Sequence, residues 1–324
     1  MKLSPFRILK YLLFLGLAGL LLYWAFKGQD LNKMAQSVKE ANPVWILASV
    51  IACLLAHVFR ALRWNMLIKP LGYSPSAKNS FYAVMIGYLA NLAIPRMGEV
   101  SRCGILKKSD GIPVTPLIGT VFTERLSDLA MLLSISALTL LLEFERIATF
   151  MYQYGWLRVK PMLSGTLFLG LVFFLGMLYF LTPLLKKWLI PLSNTLNSFK
   201  IGLLSFKKMP NKLAYLGYSL GVWGCYFLST YLAFFAMAST TDLSPIAALA
   251  ALVFGSLGMI VPVQGGIGAF HWMVAEGLTL YALPKAEGLG FATLIHSSQI
   301  LVILIIGGIS LVLVATKRSL KTEQ

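Results

Sequence analysis

The sequence predicts an all-α polytopic membrane protein, with about six spanning helices and two opposed re-entrant helical hairpins arranged like an inverted repeat. Three observations point there. Of the 324 residues, 58% are hydrophobic and 12% are charged, whereas soluble domains carry about 25% charged residues. Mean hydropathy is +0.77, concentrated in runs long enough to cross a hydrocarbon core of about 30 Å. Two further runs are short and end in breaks rich in Pro and Gly. Together these exclude a soluble enzyme, a disordered chain and a secreted disulfide scaffold.

The apolar runs fall at 8–26, 44–66, 80–95, 114–142, 163–183, 213–238, 245–262, 266–283 and 290–315. The first follows a basic stretch, Met1–Lys10, without a small-residue cleavage site, and reads as an uncleaved span. Leu31, Met34, Ala35 and Val38 recur at helical spacing and predict an interfacial helix over 29–41. Leu196, Phe199, Leu203 and Phe206 do the same over 193–208. The run 80–95 stops at NLAIPRMGE (91–99), and 245–262 stops at VPVQGGIGAF (261–270). No soluble domain fits between or after the runs, so the chain reads as one integral-membrane domain over 1–324.

Loop charge sets the topology, because Lys and Arg accumulate on the cytoplasmic side. If all nine runs span, the better orientation leaves fifteen basic residues inside and nine outside. If 80–113 enters and leaves from the cytoplasm and 245–283 from outside, six runs span, both termini are cytoplasmic, and the counts become seventeen and seven. Arg60, Arg63, Arg96 and Arg125 stay within apolar runs and are not counted. About sixteen helical residues reach roughly 24 Å into a bilayer, so opposed hairpins overlap near the midplane. The formal charge of +16 therefore marks membrane lipids as partners, not nucleic acid.

Charges inside a membrane cost several kcal/mol and are functional candidates by default. Arg96, Glu99 and Arg102 surround the first break, beside Asn91. A helix starting there turns free N–H groups and its positive end inward, which with Arg96 makes an anion site. Glu99 is expected to neutralise Arg96 or take up a coupling proton. Glu124, Arg125 and Asp128 lie deep in the next run, at spacings that let Asp128 face either of the others. These carboxylates are expected to receive Arg96 or Arg102. Arg60 and Arg63 share a face near one end of the second run, either snorkelling to the interface or forming a phosphate vestibule. Gly265, Gly266 and Gly268 offer backbone N–H groups, followed by His271 and Glu276. The alternative for the glycines is tight helix packing.

No HExxH, GxSxG or Walker A sequence occurs, and the three His are too dispersed for a metal site. Cys53, Cys103 and Cys225 form no CxxC pair. No cofactor is expected, and the chain does not read as an enzyme.

The segments FRALRW (59–64), GYLANLAIPRMGEVSR (87–102), TERLSD (123–128) and VPVQGGIGAF (261–270) resemble the lysylphosphatidylglycerol synthase transmembrane family, the flippase-like membrane part of multiple peptide resistance factors. The pattern departs at Gln264, where the family is expected to carry Pro. The resemblance implies a membrane part that moves or holds anionic or aminoacylated phospholipid. It also implies a soluble aminoacyltransferase domain in bifunctional members, which this chain, ending at Gln324, is expected to lack.

The leading expectation is a flippase or carrier for a phosphate-headgroup lipid in a bacterial inner membrane. The substrate-binding residues would be Arg60, Arg63, Asn91, Arg96, Arg102, Arg125, Gly265, Gly266 and Gly268. The charge network would be Glu99, Glu124, Asp128, His271 and Glu276. The rivals are a membrane transferase or accessory subunit using Glu99, Asp128 or Glu276 as base, and a scaffold for a lipid-modifying enzyme. A homo-oligomer also fits.

Overall fold

The computed structural model describes residues 16, 19–28, 31–153, 197, 199–202 and 204–322. The expected span at 163–183 lies outside the described residues; of the interfacial helix expected over 193–208, residues 197, 199–202 and 204–208 are described, and Leu204–Phe206 forms a short 3-10 turn. Everything regular that is described is helical. Three described helices are long and apolar enough to cross a membrane: Pro43–Leu71, Val114–Leu142 and Lys285–Thr316. The run at 213–238 forms a 23-residue helix, Lys212–Phe234. Leu31–Lys39 forms a short helix where an interfacial one was expected.

Helix starts follow local chemistry. The Asn42 side chain accepts from the Val44 N–H at 3.0 Å, with Pro43 opening the helix. Ser76 caps Asn79 at 3.1 Å, Ser244 caps Ala247 at 3.2 Å and Asn211 caps Ala214 at 2.9 Å. Each cap satisfies an N–H that a bilayer would leave unpaired.

Both short runs fold as helix–break–helix units. The first pairs Ala77–Ala93 with Gly98–Asp110. Pro95 cannot continue the helix, Ile94 is extended, and Arg96 takes a left-handed φ of 62°. The second pairs Pro245–Ile260 with Ala269–Thr279 around a tight turn at Gln264–Gly266. In the first unit Gly98 lies so close to Gly87 that a Cβ there would run into the Gly87 carbonyl oxygen. In the second, Gly258 lies against Ala269 while Gly277 faces Phe254. These contacts make each pair antiparallel.

Two apolar clusters flank the units. One joins Trp64, Ile68, Val84, Leu106 and Leu117 around the first. The other joins Phe234, Ala248, Val274, Leu278 and Phe291 around the second. The 43–68 helix packs extensively along 212–234, where Ser49 and Ser229 share a hydrogen bond at 3.0 Å. The two breaks meet between these bodies: Arg96 Nη2 donates to the Ile260 carbonyl at 3.0 Å.

Candidate functional site: an arginine-rich interior cavity

The ion-pair network begins on three helices. Arg60 and Arg63, one turn apart on the 43–68 helix, both reach the 114–142 helix. Arg60 Nη1 lies 2.9 Å from Glu124 Oε1 and 2.9 Å from Asp128 Oδ2. Arg63 Nη2 lies 2.6 Å from Asp128 Oδ1 and 3.4 Å from Glu124 Oε1. From the first hairpin, Arg102 reaches Glu124 Oε2 at 2.8 Å and stacks 4.5 Å over the Trp64 ring. Trp64 is fixed by its indole N–H donating to Thr120 Oγ1 at 2.9 Å.

These three guanidiniums are buried, which corrects the interface reading of Arg60 and Arg63. They do not snorkel because two carboxylates sixty residues away neutralise them in place. Arg102 meets Glu124 as expected; Arg96 meets a carbonyl instead of a carboxylate.

The network opens at one end. Arg125 Nη2 lies 3.1 Å from Glu99 Oε1, and Arg125 Nη1 lies 3.3 Å from Asp128 Oδ2. Their side chains are 42% exposed at Arg125 and 31% at Glu99. Glu99 therefore neutralises Arg125, not Arg96 as the spacing suggested. Both face a cavity of about 510 Å³ lying between the two hairpins. Arg60, Arg96 and Asp128 line the same polar end. Leu129, Leu132, Leu252, Ile260, Ile300 and Ile303 line the rest, so the space is amphipathic.

The glycine reading changes in detail. Gly265 and Gly266 line the cavity and Gly268 does not. The Gly266 N–H donates to Val263 O at 3.3 Å and the Gly268 N–H to His271 Nδ1 at 3.3 Å. Those two N–H groups are occupied by the turn and are not free for an anion. The same holds at the first break, where the Gly98 N–H donates to Asn91 Oδ1 at 2.7 Å. Asn91 lines the cavity but also fixes the start of the second helix.

His271 and Glu276 stand outside the cavity lining. Glu276 forms an ion pair with Lys285 and accepts from Trp272 Nε1 at 3.0 Å. His296 does line the cavity, and its Nε2 is 2.9 Å from Gly265 O. Tyr88, Trp223 and Tyr226 line it as well, and sequence reasoning passed over all three. Their signal was available: polar-tipped aromatics in the middle of apolar runs, with Trp223 and Tyr226 three residues apart on one face.

Among the described residues, no group of His, Cys, Asp and Glu is arranged to hold a metal ion.

Fold and site together define a polytopic helical membrane protein built around a charged, amphipathic interior cavity. The chain belongs to the family described as the lysylphosphatidylglycerol synthase TM region, which matches residues 8–307. It is also similar to a UPF0104 membrane protein of Methanocaldococcus jannaschii, at 32% identity over 135 residues. That match covers 41% of this chain and 39% of the relative, so the chain spans well under half the relative's length. No solved structure matches the chain.

Proposed function

We propose that this protein is a lipid carrier of a bacterial inner membrane, moving or holding a lipid with an anionic phosphate headgroup, of the phospholipid or polyprenyl-phosphate type. One observation carries the reading. Arg60, Arg96 and Arg125 line the polar end with Glu99 and Asp128, while Arg63, Arg102 and Glu124 are buried behind them; the eight groups together carry an excess of two positive charges. An uncompensated excess in a low-dielectric interior favours an anionic guest. The apolar wall suits the first carbons of a tail, and about 510 Å³ suits a headgroup, since ligand cavities run about 300–1,000 Å³.

In this reading the two helix–break–helix units are re-entrant hairpins entering from opposite sides, both termini are cytoplasmic, and the described and undescribed segments form one membrane domain. Arg96 and Arg125 bind the phosphate, because both reach the cavity. Arg60, Arg63 and Arg102 hold the frame through Glu124 and Asp128. The transferase alternative is disfavoured at its proposed bases: Glu99, Asp128 and Glu276 are each bound to a cation.

The test is mass spectrometry of lipids retained by gently purified protein, wild type against Arg96→Ala. A specific phosphate lipid should be retained by wild type and depleted in the variant. Identical bulk lipid in both would remove the assignment and favour the scaffold.

A further inference from the structure

The three carboxylates of the network are not held alike. Glu124 is paired with Arg60, Arg63 and Arg102, and Asp128 with Arg60, Arg63 and Arg125. Glu99 has Arg125 alone. Its second oxygen, Oε2, is buried without a hydrogen-bond partner among the described residues. Glu99 also sits in the first turn of a helix that starts directly after the Pro95–Met97 break. It is therefore the carboxylate most easily displaced, and its partner Arg125 is an exposed guanidinium that faces the cavity.

We propose that Glu99 is an internal stand-in for the lipid phosphate: the incoming headgroup displaces it from Arg125, and the released carboxylate takes up a proton, so each lipid travels with one proton. The inference rests on the carrier reading above. A phosphate and a carboxylate present the same paired-oxygen edge to a guanidinium, so they compete for one site. Once displaced, Glu99 loses its one ion-pair partner while its Oε2 is already without a hydrogen-bond partner among the described residues, and a partly buried carboxylate left without partners is neutralised by taking up a proton.

The proton comes from water entering the open side of the cavity and adds to a Glu99 oxygen. No bond to phosphorus forms or breaks. A phosphodiester anion and a proton together carry no net charge, so the phosphate takes over at Arg125 the charge that Glu99 gives up.

Arg60 and Tyr88 face the same crevice as Glu99 from the neighbouring helices, with Arg102 from Glu99's own. Arg96 lies in the adjoining break, and Asp128 and Glu124 lie beyond Arg125 on the 114–142 helix. Both of those carboxylates keep at least two guanidiniums if Arg125 turns to the lipid.

The experiment is calorimetric titration of the full chain in detergent with dioctanoyl phosphatidylglycerol at pH 6, 7 and 8, in two buffers of different ionisation enthalpy. Wild type should take up about one proton per lipid, and by linkage its affinity should fall by about tenfold per unit rise in pH. Glu99→Gln should bind at every pH at least as tightly as wild type does at pH 6, with no proton uptake. Lipid binding by wild type without proton uptake overturns this inference and leaves the carrier reading intact. A folded Glu99→Gln that binds more weakly than wild type at all three pH values also overturns it. If that variant does not fold, the wild-type proton count decides alone. Wild type that binds no lipid overturns the carrier reading itself. Inorganic phosphate competing as strongly as the lipid overturns the lipid assignment.

Discussion

The Arg96 guanidinium donates to the Ile260 carbonyl at 3.0 Å, so the tip of one hairpin is tied to the tip of the other. Ile260 ends its helix, and its carbonyl is among those a helix C-terminus leaves open. A cation there also complements the helix dipole. One side chain thus serves both as a tie and as a free charge facing the cavity.

That double role makes Arg96→Ala and Arg96→Lys informative together. A hydrogen bond to a charged group is worth about 1.5–3 kcal/mol, so Arg96→Ala should weaken binding of dioctanoyl phosphatidylglycerol by roughly tenfold or more. Arg96→Lys should fall between the two, keeping charge but losing the planar fork. Calorimetric titration of the three proteins checks the order.

Glu124 holds three buried guanidiniums. Breaking a buried pair by removing one partner costs about 3–5 kcal/mol, and Glu124→Gln should lower the thermal midpoint in detergent accordingly. Arg125→Gln, at the exposed end, should cost less than about 1 kcal/mol. Equal shifts for the two, followed by tryptophan fluorescence on heating, would contradict the division into frame and site.

Gly98→Ala places a methyl group against the Gly87 carbonyl and the Asn91 side chain. Overpacking of this kind costs about 1–3 kcal/mol. Gly104→Ala on the same helix meets nothing within 4 Å and should be neutral or slightly stabilising, since Ala favours a helix by up to about 1 kcal/mol over Gly. Thermal unfolding of the two variants separates close approach from propensity.

Orientation is checked by single cysteines in a background where Cys53, Cys103 and Cys225 are replaced. Ser109→Cys should react with an impermeant maleimide only from the cytoplasmic side. Thr241→Cys, exposed before the second hairpin, should react only from outside. Labelling of Ser109→Cys from outside would exclude the re-entrant arrangement of the first hairpin.

The breaks were legible in the sequence because their cause is local: Pro95 ends a helix by lacking an N–H. The location of the network was legible too, since ionisable residues in apolar runs are rare. Its wiring was not. Arg125 lies one residue from Glu124 and still pairs with Glu99 on another helix, a choice made by packing. Arg60 and Arg63 read as either interfacial or a phosphate vestibule, and not as ion-pair partners, because their carboxylates are 61 to 68 residues away. The glycine N–H groups read as free because the turn that consumes them, through His271 Nδ1 and Val263 O, has no sequence signature.

The long separation between the network's partners also bears on how the protein is made. Arg60 and Glu124 are 64 residues apart in the chain, and at about 5–20 residues per second a ribosome needs roughly 3–13 s to synthesise that stretch. During that interval the 43–68 helix holds two guanidiniums with no counter-ion yet synthesised. The nascent helix must wait at the insertion machinery or at the membrane surface until the 114–142 helix emerges. A chain truncated before residue 114 should therefore be degraded faster than one reaching residue 142.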